Sequence, residues 1–109
     1  MGAGSNGCVV VLCTAPVAAA PELARALVEA RLCACVNVIP GGRSYFWWEG
    51  KVDEAHEALL VIKTTTTGLE ALQGRLSELH PYDVPELVAL DVKDGLPAYL
   101  AWVVDSVKG

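Results

Sequence analysis

The sequence predicts an α+β fold: a split βαβ unit in the order β-α-β-β-α-β, with a long hairpin between its second and third strands and an extra C-terminal helix. Three observations carry this. The stretch from Cys33 to Thr67 reads as an apolar run, a Gly41-Gly42 break, the consecutive aromatics Tyr45, Phe46, Trp47 and Trp48, a tight turn at Glu49-Gly50-Lys51 and a second apolar run. A segment with helical periodicity lies on either side of it. A β-branched run near the N-terminus and a shorter apolar run after the second helix supply the remaining strands.

In chain order, residues 1 to 7 are small and polar and read as a disordered lead. Cys8 to Cys13 is a continuous apolar run, which suits a central strand covered on both faces. Pro16 stops it, and Pro21 sits where the first turn of a helix tolerates proline. Leu23, Leu27 and Ala30 then recur at helical spacing, with Glu22, Arg25 and Glu29 opposite and Arg25 and Glu29 at i, i+4. Leu32 to Ile39 turns back to strand, and Pro40-Gly41-Gly42 predicts a kink or bulge before the aromatic segment.

After the turn, Glu54 to Glu57 is polar, with His56 among carboxylates, and reads as an exposed hairpin tip. Ala58 to Ile62 returns to the core and ends in Lys63 and four threonines. Thr67 with Glu70 predicts a capping box. Leu69, Leu72, Leu76 and Leu79 trace one face of a second helix, weakened at Gly74 and ended by His80-Pro81-Tyr82. Glu86 to Val92 is the fourth strand. Asp94 and Pro97 open a last helix with Leu96, Tyr99, Leu100, Val103 and Val107 on its inner side.

At 109 residues the chain is one domain, residues 1-109. Its hydrophobic content of 53% exceeds what such a domain hides, so a partner is expected, and four aromatics on an unpaired ribbon make a second copy of the chain the simplest one. The net charge of -5, with basic residues spread singly, leaves no footprint for nucleic acid. The apolar opening run is too short to span a bilayer and lacks the basic flank of a signal peptide, so a cytoplasmic protein with no membrane insertion is expected. The cysteines Cys8, Cys13, Cys33 and Cys35 sit in strand patterns and read as buried small hydrophobes.

Three reactive or charged groups stand where the pattern would take apolar residues. Cys13 ends the first strand, Lys63 ends the third and Glu86 opens the fourth, with His80-Pro81-Tyr82 just before it. Lys63 and Glu86 fit a shared cleft or a structural ion pair. Cys13 and His80 pair thiolate and imidazole, a combination suited to copper or zinc, though two ligands make no complete site and no CxxC or HxxxH spacing supplies more. The alternative is a buried thiol and a helix-terminal histidine. A nucleophilic reading, with Cys13 attacking, His80 as base and Glu86 orienting it, has no local motif behind it, and no enzyme is predicted.

Val10-Val11-Leu12-Cys13-Thr14-Ala15-Pro16, Ala34-Cys35-Val36-Asn37-Val38-Ile39-Pro40-Gly41, Trp48-Glu49-Gly50-Lys51, Lys63-Thr64-Thr65, His80-Pro81-Tyr82 with Pro85-Glu86-Leu87, and Tyr99-Leu100 with Trp102 together resemble the CutA family of divalent-cation tolerance proteins. The resemblance implies a ferredoxin-like subunit in a tight homotrimer, with hairpins exchanging strand contacts as in the PII signalling proteins. It also implies binding of copper or similar divalent ions. The family's copper ligands are a cysteine matching Cys13 and two consecutive histidines before Pro-Tyr; here His80 matches the second, and Leu79 stands at the first. Weak or non-obligate metal binding is therefore expected. The other function that the resemblance implies is a PII-like sensor holding a small anionic ligand between subunits through Lys63, in a pocket shaped by Glu86, Tyr82 and Trp48.

Overall fold

The computed structural model describes residues 6–108. In chain order the elements are β1 (Cys8–Pro16), α1 (Ala20–Glu29), β2 (Cys35–Trp48), β3 (Lys51–Thr65), α2 (Leu69–Leu79), β4 (Val88–Asp91) and α3 (Pro97–Ser106). The four strands form one antiparallel sheet in the order β2-β3-β1-β4. This is the expected split βαβ arrangement with its extra helix.

Alternation along β1 sends Val9, Val11, Cys13 and Ala15 to one face. There they meet Ala58, Leu60 and Ile62 of β3, Leu23 and Leu27 of α1, and Leu72 and Leu76 of α2 in one core cluster. Leu27, Leu60, Ile62, Leu72 and Leu76 are fully buried, each contributing about 1.5–3 kcal/mol from removal of its side chain from water. Pro21 falls in the first turn of α1. Arg25 and Glu29 pair at 3.9 Å on the exposed face of α1.

The opposite face is covered at one corner only. Val103 of α3 packs there with Cys8 and Ala34, flanked by Leu100 and Val107. Away from that corner, Ile39, Val88 and Leu90 are about half exposed. The hairpin carries Tyr45, Trp47 and Trp48 outward, with Trp47 76% exposed.

Two backbone devices shape this hairpin. Its tip is Glu49-Gly50, both at positive φ (48° and 82°), the handedness that matches strand twist in a two-residue turn. Lower down, the register shifts between Ile39 and Gly42, the bulge expected at Pro40-Gly41-Gly42. Gly42 lies so close to β3 that an added Cβ would sit 2.6 Å from the Glu57 carbonyl oxygen. Only glycine allows that approach.

Several expectations are corrected. Glu54 to Glu57 is not the hairpin tip: these residues lie within β3, and Glu57 is 6% exposed, paired across the sheet with Gly42 and Pro16. The N-cap of α2 is Gly68 rather than Thr67, and its N–H donates to the Thr65 hydroxyl at 3.0 Å. β1 runs three residues past Cys13, and β4 opens at Val88 rather than Glu86. Residues 1–5 of the expected lead lie outside the described residues. Its last two are tied down: Asn6 Nδ2 donates to the Val92 carbonyl at 2.8 Å, and Gly7 O accepts from the Thr66 N–H at 2.9 Å.

Candidate functional site

β1 turns Cys13 into the core and Thr14 to the other face. α2 ends at Leu79 because Pro81 cannot extend it, leaving His80 extended at the C-cap, its N–H bonded to Leu76 O at 2.8 Å. The His80 ring then points back at β1. Its Nδ1 accepts the Tyr82 backbone N–H at 3.1 Å, so the ring proton sits on Nε2, which donates to the Thr14 carbonyl oxygen at 2.8 Å. The Cys13 thiol donates to the same oxygen at 3.6 Å. The two residues expected to act as a pair therefore converge on one carbonyl.

That arrangement is closed. Cys13 is fully buried and His80 is 6% exposed, with both ring nitrogens occupied. Burial, with smaller contributions from the negative charges of Glu86 and Glu57, pushes the Cys13 thiol up to about 12. A thiol held protonated is neither an activated nucleophile nor a ready ligand. A metal ion at this pair would have to displace the thiol proton and one of the bonds to His80. Among the described residues no three His, Cys, Asp or Glu side chains are grouped to hold a metal ion.

Beyond Thr14 the geometry changes from closed to open. The hairpin and the segment from Tyr82 to Glu86 enclose a cleft of about 960 Å³. Tyr45, Phe46, Trp48 and Tyr82 supply aromatic walls, and Asp53, Glu57, Asp83 and Glu86 supply carboxylates. Among the described residues no Lys, Arg or His lines it. The Tyr82 hydroxyl donates to Glu57 Oε2 at 2.7 Å. Burial first, then the bond to Glu57 and its charge, push the Tyr82 phenol up to about 12.

Of the pocket residues expected from the sequence, Trp48, Tyr82 and Glu86 meet in this cleft and Lys63 does not. Antiparallel pairing sets Lys63 opposite Val10 and Cys35, whereas the Thr14 end of β1 faces Leu59 and lines the cleft. Lys63 Nζ bonds instead to Asn37 Oδ1 and, at 3.9 Å, to Cys35 Sγ. Within one subunit no ion pair joins Lys63 to Glu86, and the sign of the cleft does not suit an anion. The residue that the sequence reading missed is Glu57. Its only signal is its place directly before the apolar run Ala58 to Ile62.

A model of the family described as CutA1 divalent ion tolerance protein matches residues 9–106. The chain belongs to the CutA1 family. It is 46% identical over 101 residues to the divalent-cation tolerance protein CutA of Pectobacterium atrosepticum, covering 92% of both chains. It is 44% identical over 101 residues to a rice protein named CutA 1, chloroplastic, covering 92% of this chain and 57% of that one. The solved CutA1 structure from Thermus thermophilus superposes with a TM-score of 0.90 at 46% identity, over 93% of this chain and 99% of the other. The fold is therefore the ferredoxin-like split βαβ form that CutA1 structures share, and the His80-Pro81-Tyr82 corner lies inside the family match.

Proposed function

We propose that this CutA1 chain works in divalent-cation tolerance, as a homotrimer in the cytoplasm, binding copper or a similar ion non-obligately through Cys13 and His80. The observation that carries the reading is the convergence of the Cys13 thiol and the His80 imidazole on the Thr14 carbonyl oxygen. Thiolate and imidazole are ligands that suit copper. Because the thiol is held protonated to about pH 12, each ion bound must release its proton, and affinity rises about tenfold per pH unit across the neutral range. Leu79, which packs against the core, contributes no ligand. Affinity is correspondingly weak.

The trimer accounts for the outward aromatics and for the exposed Ile39, Val88 and Leu90, a spread of apolar surface that a solitary subunit would leave in water. Four free thiols agree with a reducing compartment. No described helix is long and apolar enough to cross a membrane.

Anaerobic copper titration of the wild type and of Cys13→Ala tests the site. Binding that is lost in Cys13→Ala supports it, and equal binding by both removes Cys13 from the site. Leu79→His supplies a further imidazole beside His80 and is expected to tighten copper binding. Light scattering and native mass spectrometry test the assembly, for which three subunits are expected.

A further inference from the structure

The start of β1 is fastened to the end of β4 by one side chain. Asn6 Nδ2 donates to the Val92 carbonyl oxygen at 2.8 Å, and Asn6 Oδ1 accepts the Cys8 N–H at 2.9 Å. The Val92 N–H donates in turn to the Cys8 carbonyl oxygen at 3.3 Å. Val92 packs against the cluster of Cys8, Ala34 and Val103, so this clasp holds the sheet corner on which α3 sits. Both ends of one amide are spent on it.

The residue that follows makes the same amide a reactive one. Gly7 has no side chain to crowd its nitrogen, lies at φ 82° with nothing within 4 Å of an added Cβ, and its N–H has no hydrogen-bond partner among the described residues. Such a backbone nitrogen can attack Asn6 Cγ: the N–Cγ bond forms, the Cγ–Nδ2 bond breaks, and ammonia leaves with the proton from the Gly7 nitrogen. Water then opens the cyclic imide at either carbonyl, leaving aspartate or isoaspartate. Asparagine is a thermolabile residue. The other asparagine of the chain, Asn37, precedes Val38, whose branched Cβ crowds the attacking nitrogen. Ring closure turns the Asn6 carboxamide toward Gly7 and expels Nδ2, against the two bonds that hold it, so the folded state restrains the reaction. We propose that Asn6-Gly7 is a site of spontaneous deamidation, gated by this clasp, whose product unfastens β1 from β4. The new carboxylate still accepts from Cys8 but cannot donate to Val92. The step involves neither Cys13 nor His80 and is independent of the copper reading.

The test is peptide mapping by mass spectrometry after incubation at mildly alkaline pH, with the assembled protein in buffer and the unfolded chain in urea. Asn6 is expected to convert in both and to outpace Asn37 in urea. Conversion in buffer is expected to be about tenfold or more slower than in urea, the hold of two hydrogen bonds. Gly7→Ala is expected to slow conversion in urea, where the fold plays no part. Asn6→Asp, which supplies the product directly, is expected to speed hydrogen exchange at the Val92 N–H and to leave exchange in α2 unchanged. Should Asn6→Asp fail to fold, exchange at Val92 in wild-type protein aged in buffer carries that arm. Equal rates in buffer and urea, Asn37 converting as fast as Asn6 in urea, or unchanged exchange at Val92 in the converted protein overturns the proposal.

Discussion

The two sides of Thr14 bury polar groups in opposite ways. On the core side, Cys13 and His80 satisfy each donor and acceptor with protein partners, and His80 serves both Thr14 and Tyr82. On the cleft side, Glu57 is buried to a similar degree, but only one of its oxygens is held, and no cation among the described residues pairs with it. Burial alone therefore does not mark a binding site. What separates the two sides is how completely the buried groups are held by partners within the chain.

The largest expected effect lies on the closed side and concerns alkaline pH. Cys13 and Cys33 both have thiols pushed from 9.0 up to about 12, chiefly by burial. The unfolded chain loses these protons first as pH rises. The stabilisation is thus complete below pH 9 and is lost as pH climbs toward about 12. Cys13→Ala removes one titration and is expected to flatten this fall by about 1.4 kcal/mol per pH unit. Urea unfolding across that range checks it, and an unchanged slope would break the contrast.

His80→Ala strikes the joint between the two sides. It leaves the Thr14 carbonyl and the Tyr82 N–H without their partner, at a cost of about 2–4 kcal/mol. It should also loosen Tyr82 and so weaken the hold on Glu57. Unfolding free energy and Tyr82 ring mobility by NMR report both. Gly42→Ala strikes the cleft side alone. Its Cβ would meet the Glu57 carbonyl oxygen at 2.6 Å, a backbone overlap expected to cost about 1–3 kcal/mol and to shift Glu57. The smallest effect is a control that touches neither side: Gly74 is open to solvent in the middle of α2, with nothing within 4 Å of an added Cβ. Gly74→Ala should raise stability by about 0.5–1 kcal/mol and leave copper binding unchanged.

The fold was legible because its signals are local. Pro21, Leu23 and Leu27 mark α1 by spacing, and Pro40-Gly41-Gly42 marks the bulge by backbone freedom. That Cys13 and His80 stand close together, both bonded to the Thr14 carbonyl oxygen, agrees with the family motifs that named them together. Lys63 and Glu57 were misplaced for one shared reason: sequence gives a strand's composition but not which end of its neighbour it meets. Antiparallel register carries Lys63 to Val10, away from Glu86, and brings Glu57 beside Pro16. The burial of Glu57 then depends on Gly42 and Tyr82, which lie far from it along the chain. The capping reading at Thr67 failed locally, because the Thr65 hydroxyl takes the Gly68 N–H and the helix starts one residue later.

Proton release on copper binding tests the closed side most directly. Anaerobic calorimetry in buffers of different ionisation enthalpy should show the wild type releasing a proton with each copper ion bound, with tighter binding at higher pH, and Cys13→Ala showing neither. Copper binding that releases no proton and keeps the same affinity across pH would contradict a buried, protonated Cys13 as its ligand.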